Sequence, residues 1–317
     1  MHGSVKPNET LVPKGGESEI TLDKNFGFSK QFASYYELGE EVGCGFFGCG
    51  LWFFLVYLLY QGEEMQHERP DVAVKVISNF GAILLAFSFS SSEITKVGEE
   101  KKRRIDADFK EGGQRNWIQV LFNSGMSTVL AVVFWKLSGL QDKCLDTKES
   151  TVITSLIGGI IGHYSCSNGD TWSSELGVLS DAQPRLITTF KPVRKGTNGG
   201  VTMVGLVAAA AAGSVIGLTF VLFGFFTRSC EYDVALKQIL VIPLAAMAGL
   251  CGSLIDSLLG ATLQFSGFCT VRNKVVGKPG PTVKKISGLN FLDNNAVNLV
   301  SILLTSLLTS IACVYIF

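Results

Sequence analysis

Asn168-Gly169-Asp170-Thr171-Trp172-Ser173-Ser174-Glu175-Leu176-Gly177 follows directly on an apolar run that begins at Thr151 and ends near Cys166. The run is short for a membrane crossing, which takes roughly 20 helical residues. Two readings of the stretch compete. Asp170 or Asn168 can act as an N-cap, opening a helix that Thr171 to Leu176 continues. Alternatively, an acid with hydroxyls at Thr171, Ser173 and Ser174 near membrane depth marks a site, because polar groups there are costly. On either reading the stretch ends a membrane-embedded segment, and that sets the fold class as all-α, a multi-pass transmembrane helical bundle.

Working outward, comparable apolar runs recur at 42–60, 72–90, 117–140, 201–227, 235–263 and 296–317. With 151–166 they make about seven helices, and 42–317 is one transmembrane domain. Lys75 lies near one end of the second run and can snorkel. Residues 1–41 mix Gly, Pro, Glu and Lys without period and read as a mobile cytosolic tail. This polar start is no cleavable signal peptide, so the first run serves as an uncleaved anchor. The Gly213–Gly217 pair has the spacing that lets helices pack closely.

The composition agrees: 47% of the 317 residues are apolar and 17% are charged. Zero formal net charge removes the electrostatic case for a nucleic-acid partner. The eight cysteines form no Cys-x-x-Cys pair and histidines number three, so neither a zinc site nor a disulfide framework is expected.

Seven crossings put the tail and the loops after the second, fourth and sixth runs on one side. That side holds 20 of the 27 Lys and Arg residues, against 7 on the other. Positive charge stays inside, so the N-terminus is expected in the cytosol and the C-terminus outside it. The sequon Asn8-Glu9-Thr10 is then never glycosylated. The membrane is an endomembrane, with the ER as default.

The chain also echoes itself. Asp170-Thr171 and Asp256-Ser257 each lie near the cytosolic end of an apolar run. Each is followed by a basic loop and another run, which suggests a parallel internal repeat of helix pairs. Paired acids on neighbouring membrane helices, with adjacent hydroxyls, suit a hard cation such as Mg2+, which needs few carboxylates beside water and phosphate oxygens. The first basic loop supplies the complement. Lys191, Arg194 and Lys195 bring positive charge, Gly196, Gly199 and Gly200 let backbone amides approach phosphate, and Thr197 and Asn198 add hydrogen bonds. In second rank stand Asn168, Ser174, Glu175, Arg115, Asn294 and Asn298. Asp293, Asn294, Asn295 and Asn298 either line the same cavity or cap the last helix, while His163 is a base, a ligand or a packing residue.

Several blocks carry a family resemblance: Lys110-Glu-Gly-Gly-Gln-Arg-Asn-Trp117, Asn168 to Gly177, Pro184-Arg-Leu-Ile-Thr-Thr189, Gly196-Thr-Asn-Gly-Gly-Val201 and Leu254 to Gln264. They resemble the transmembrane protein 19 family of integral membrane proteins. That family usually has Ala where Ser173 or Ser174 stands here. It is similar to a plant plastid phytyl-phosphate kinase and, more remotely, to CTP-dependent polyprenol kinases and CDP-lipid synthases. The resemblance implies a Mg-dependent transferase or kinase that uses CTP or another nucleoside triphosphate on an isoprenyl or lipid phosphate. It places metal at Asp170, Thr171, Asp256 and Ser257, and nucleotide phosphates at Lys191, Arg194, Lys195 and Asn198. Two other classes stay open: a transporter lined by the two acids, and a non-catalytic membrane protein with a degenerate site.

Overall fold

The computed structural model describes residues 70–105, 117–139, 141–227 and 230–317. In chain order these form α1 (Pro70–Lys96), α2 (Glu99–Ile105), α3 (Trp117–Ser138) and α4 (Thr151–Leu179). The strands β1 (Arg185–Leu186) and β2 (Gly200–Val201) precede α5 (Met203–Thr227), α6 (Tyr232–Lys237) and α7 (Val241–Leu263). Three more strands, β3 (Ser266–Cys269), β4 (Lys274–Val276) and β5 (Val283–Ser287), lead to α8 (Asn294–Ile316). The expected helical bundle forms, with its few strands confined to the loops between helices. Among the described residues, Met203–Phe226, Tyr232–Leu263 and Asn294–Ile316 are long and apolar enough to cross a membrane. The tail 1–41, the expected span 42–60 and Arg115 lie outside the described residues.

The helix expected to stop at Cys166 does not stop. α4 runs unbroken from its N-cap, Ser150, whose Oγ accepts the Ile153 amide at 3.3 Å, to Leu179. Neither Asn168 nor Asp170 opens a helix, which corrects that half of the sequence reading. The physical reason is tertiary. Asn168 donates from Nδ2 to the Ala212 carbonyl (3.0 Å) and accepts from Ser90 Oγ (3.1 Å), tying α4 to α5 and α1 instead of turning back on its own backbone.

Close packing around α4 depends on missing side chains. A Cβ on Gly169 would stand 2.7 Å from the Gly249 carbonyl of α7, and one on Gly162 would stand 2.7 Å from Thr309 of α8. The Gly213–Gly217 pair does what its spacing suggests, seating α5 against Ala245 and Ile242 of α7.

The apolar core is polarised. Phe80, Ile83, Phe134, Ile157, Ile161, Tyr164, Phe220, Val241 and Phe317 gather at one end of the bundle. That end also carries a disulfide, Cys144–Cys230, with Cα atoms 6.1 Å apart and the two cysteines 86 positions apart in sequence. This corrects the expectation of no disulfide; helix packing brings the loops after α3 and α5 together, and the distant spacing of the two cysteines gave no sign of it.

At the other end the echo takes structural form. An acid-bearing helix, a small antiparallel β element and a second helix occur as α4, β1–β2, α5 and again as α7, β3–β5, α8.

Candidate functional site

The first inter-helix loop is folded back by the pairing of β1 with β2, Arg185 opposite Val201 and Leu186 opposite Gly200. Its tip then crosses to the second helix pair. Gly199 takes φ +74°, which strains any residue with a side chain, and a Cβ there would collide with Ala261 Cβ and lie 2.5 Å from the Ser257 carbonyl. Asn198 staples the crossing. Its backbone amide donates to Ser266 Oγ (3.0 Å) and its Nδ2 to the Phe265 carbonyl (3.1 Å).

This crossing closes a cavity of about 250 Å³ between the two helix pairs. Asp170, Ser173, Ser174 and Gly177 line it from α4, the run Lys195–Gly200 from the loop, Ser253, Asp256, Ser257 and Gly260 from α7, and Asn294 from α8. Both acids of the echo therefore face one space. That volume falls below the roughly 300–1,000 Å³ of pockets that enclose a whole small molecule, so it matches the phosphate end of a ligand better than an entire nucleotide.

Asp256 is held in place by α8. Ser301 Oγ donates to its Oδ2 (3.0 Å), and the Asn298 amide, oriented with its nitrogen toward the two acceptors around it, donates to the same oxygen (3.2 Å) and to the Asn294 carbonyl (3.0 Å). Asp293 caps α8 by accepting the Ala296 amide (2.8 Å) while Asn294 lines the cavity, so capping and lining both occur, on neighbouring residues.

The basic set divides. Lys195 lines the cavity, its Nζ donating to the Ser180 carbonyl. Next to it, Asp181 is held below the usual carboxylate range by its hydrogen bond to Lys101 and by the charges of Lys101 and Lys195. Arg194 instead stacks on the Phe268 ring, 3.9 Å from its centroid, and neither Arg194 nor Lys191 is among the lining residues. Thr197 is 6% exposed and its Oγ1 has no hydrogen-bond partner, although it lines a polar cavity.

Of the proposed metal ligands, Asp170, Asp256 and Ser257 line the cavity. Thr171 does not; its hydroxyl donates to the Ser167 carbonyl (2.9 Å). Glu175 is engaged elsewhere, 2.5 Å from the buried Lys102, which also donates to the Ile94 and Thr95 carbonyls. His163 is fully buried away from the cavity, its Nε2 2.6 Å from the Asn123 carbonyl, as a packing residue would be. Among the described residues no three His, Cys, Asp or Glu side chains cluster as a protein-only metal cage. Two carboxylates with nearby hydroxyls fit the other arrangement, a magnesium that arrives with phosphate oxygens and water.

Reading the sequence missed Ser301 and Lys102. Ser301 had a signal, since Asn294, Asn298 and Ser301 fall at i, i+4 and i+7 on an otherwise apolar helix. Lys102 had none, being one of four consecutive cations.

A family model of integral membrane proteins, DUF92, matches residues 72–306. Protein PGR of Arabidopsis thaliana is 75% identical over 238 residues, covering 75% of this chain and 83% of its own length. The membrane protein MJ0933 of Methanocaldococcus jannaschii is 32% identical over 186 residues, 58% of this chain and 65% of its own. CDPK-related kinase 7 of Arabidopsis thaliana is 53% identical over 78 residues, 24% of this chain but 12% of the kinase. No solved structure matches the chain.

Two short stretches of the chain are kinase-like. Gly43-Cys-Gly45-Phe-Phe-Gly48 and Val72-Ala-Val-Lys75 have the spacing of a protein-kinase glycine-rich loop and strand lysine. The glycines lie outside the described residues, and Lys75 stands on helix α1 where a kinase requires a strand. The sequence contains neither His-Arg-Asp nor Asp-Phe-Gly, the triplets that bring base and metal in protein kinases.

Proposed function

The chain belongs to the integral membrane protein family DUF92, and on that premise we propose that the pocket between its helix pairs transfers a phosphoryl group from a nucleoside triphosphate to an isoprenoid or lipid phosphate. One observation carries the reading. Two carboxylates from different helices share a small polar cavity with a lysine, a buried hydroxyl without a protein partner and a glycine-rich loop. Phosphoryl transfer needs little covalent chemistry from a protein, only aligned phosphates and neutralised charge. The resemblance to phytyl-phosphate kinase and to CTP-dependent polyprenol kinases supports the substrate class and favours CTP.

Asp170 and Asp256 would hold Mg2+, with Ser257 beside them; when bound, the ion supplies charge neutralisation on the phosphates. Ser301 and Asn298 fix the Asp256 carboxylate, so that it is oriented before substrate arrives. Lys195 and the Thr197 hydroxyl would bind phosphate oxygens. In the reaction the bond from the γ-phosphorus to its bridging oxygen breaks, a bond to an oxygen of the acceptor phosphate forms, and the nucleoside diphosphate leaves.

Packing beneath the cavity argues against a transport path. Gly169 abuts Gly249, Gly252 abuts Cys166, and the apolar core closes the far end. A cytosolic position for the pocket is supported by the excess of basic residues on its side and by the disulfide at the opposite end, since disulfides persist in oxidising compartments.

The test is a turnover screen of the purified protein in nanodiscs, with labelled nucleoside triphosphates, magnesium and a panel of isoprenyl and lipid monophosphates. The expected product is the diphosphate, formed with one nucleoside diphosphate per transfer and abolished by chelation. Asp170→Asn and Asp256→Asn should each lower the rate by on the order of 10²–10³-fold, as loss of a charge-stabilising group does elsewhere. Full turnover in both variants would remove the carboxylates from the reaction.

A further inference from the structure

The loops that wall the pocket also present an outer surface. Between Ser180 and Thr202 and between Gln264 and Asp293 they carry nine Lys and Arg against two acids. The loops at the disulfide end, 139–150 and 228–231, hold three cations and four acids. Apolar side chains stand out from the basic face. Phe190 is 67% exposed and Phe291 76%.

Neither phenylalanine sits on a frayed end. The Phe190 amide donates to the Leu186 carbonyl (2.7 Å), and its own carbonyl accepts from Arg185 Nη1 (3.0 Å). These bonds hold it at φ +56°, a left-handed conformation unfavourable for any residue with a bulky side chain. Phe291 is fixed by its amide to the Leu263 carbonyl (3.1 Å), with Leu289 anchored beside it on the Thr262 carbonyl (2.9 Å). A turn that keeps an aromatic ring in a strained conformation and in water gains nothing from it. The arrangement makes sense once the rings leave water.

We infer that this face docks on the anionic headgroup layer of its own membrane leaflet, with Phe190 and Phe291 seated at the boundary between headgroups and acyl chains. Both loops join helices of an integral membrane protein, so that leaflet is the surface nearest to hand. Its negative potential matches the charge excess, and aromatic residues with flanking cations are the side chains that partition to this depth. Lys195 follows Phe190 by five residues and Asn294 follows Phe291 by three, and both line the cavity. The docked loops would therefore open the pocket onto the plane of lipid phosphates. The inference rests on the membrane family and the loop geometry, independently of phosphoryl transfer.

Phe190→Trp and Phe291→Trp, made separately in the full chain, report the depth of each position. Each variant is placed in nanodiscs of phosphatidylcholine with or without phosphatidylserine, and its emission is compared with that of the parent protein. The introduced indole should emit at shorter wavelength than in water. Lipids brominated near the upper acyl chain should quench it, severalfold more strongly when phosphatidylserine is present. Combining Phe190→Trp with Arg185→Gln and Lys191→Gln should remove the phosphatidylserine dependence at that position. Water-like emission without bromolipid quenching in both variants overturns the proposal, and so does quenching indifferent to phosphatidylserine. No nucleotide or substrate enters the measurement, so its outcome does not depend on whether the pocket transfers phosphate.

Discussion

The hydroxyl of Thr197 is buried in the wall of the cavity that Asp170 and Asp256 also line, and no protein group hydrogen-bonds it, so in the ligand-free fold its desolvation is not offset by a protein partner. Thr197→Val removes the hydroxyl and keeps the shape. It should leave stability unchanged or raise it by up to about 1–3 kcal/mol, the cost of an unsatisfied buried group, while weakening phosphate binding. Thermal melting in detergent together with nucleotide binding measures both, and a parallel fall in the two would show that the hydroxyl is structural. Gly199 behaves in the opposite way. Gly199→Ala forces a Cβ against Ala261 and the Ser257 carbonyl at positive φ. It should cost about 1–3 kcal/mol from overpacking alone, with backbone strain added. Gly196→Ala shares the strain at φ +82° but meets nothing nearer than 3.7 Å, so its loss should be clearly smaller in the same melt. The run Gly196 to Gly200 was legible in the sequence as a glycine-rich loop between helices. Its division of labour was not, because what Thr197 and Asn198 each do depends on what the fold places beside them. The same holds for Arg194 and Lys195, one stacked on Phe268 and the other lining the cavity.

Among the elements, α4 shows most clearly where local sequence stops being informative. A cluster of Asn, Gly, Asp, Thr and Ser after an apolar run has the composition of a helix start, and in isolation it would compete with the helix for backbone hydrogen bonds. Ala212 and Ser90, remote in sequence, satisfy Asn168 instead, and Gly249 fills the space beside Gly169. No window on α4 alone contains that information. The repeated order of acid-bearing helix, basic loop and helix was legible, because both copies are written in consecutive residues. The clamp that holds the C-terminal half of α4 was not. Lys102 on α2 is 4% exposed and reaches Glu175 on α4 together with two carbonyls that end α1. Lys102→Met strands a carboxylate that keeps partial access to water, so the loss should fall below the 3–5 kcal/mol of a fully buried pair, at roughly 2 kcal/mol. The double variant Lys102→Met with Glu175→Gln should recover part of it. A double-mutant cycle by denaturant or thermal melting gives the coupling, and purely additive losses would show that the two side chains do not act as a pair.

Taken whole, the molecule has two unlike ends, with the apolar core and the Cys144–Cys230 disulfide at one and the cavity and basic loops at the other. The charge imbalance was open to counting in the sequence; the disulfide depends on two loops that only helix packing brings together. Charge and disulfide constrain orientation independently, since one follows membrane insertion and the other the redox state of a compartment. Together they predict that Cys144 and Cys230 lie across the membrane from the cytosol. Disulfides typically contribute about 2–4 kcal/mol, and chain entropy puts a cross-link between residues 86 apart in sequence at the upper end, at about 4–5 kcal/mol. Cys144→Ser should therefore lower the melting temperature, and reducing agent should lower that of the parent alone. In sealed vesicles that keep the cytosolic face outward, an impermeant maleimide with an impermeant reductant should give the parent and Cys144→Ser the same labelling from outside. Permeabilising the vesicles should let the parent gain two labels while Cys144→Ser gains one at Cys230. Labelling of this pair in sealed vesicles would reverse the orientation and put the pocket, with its carboxylates and the nucleotide proposed for it, on the non-cytosolic side.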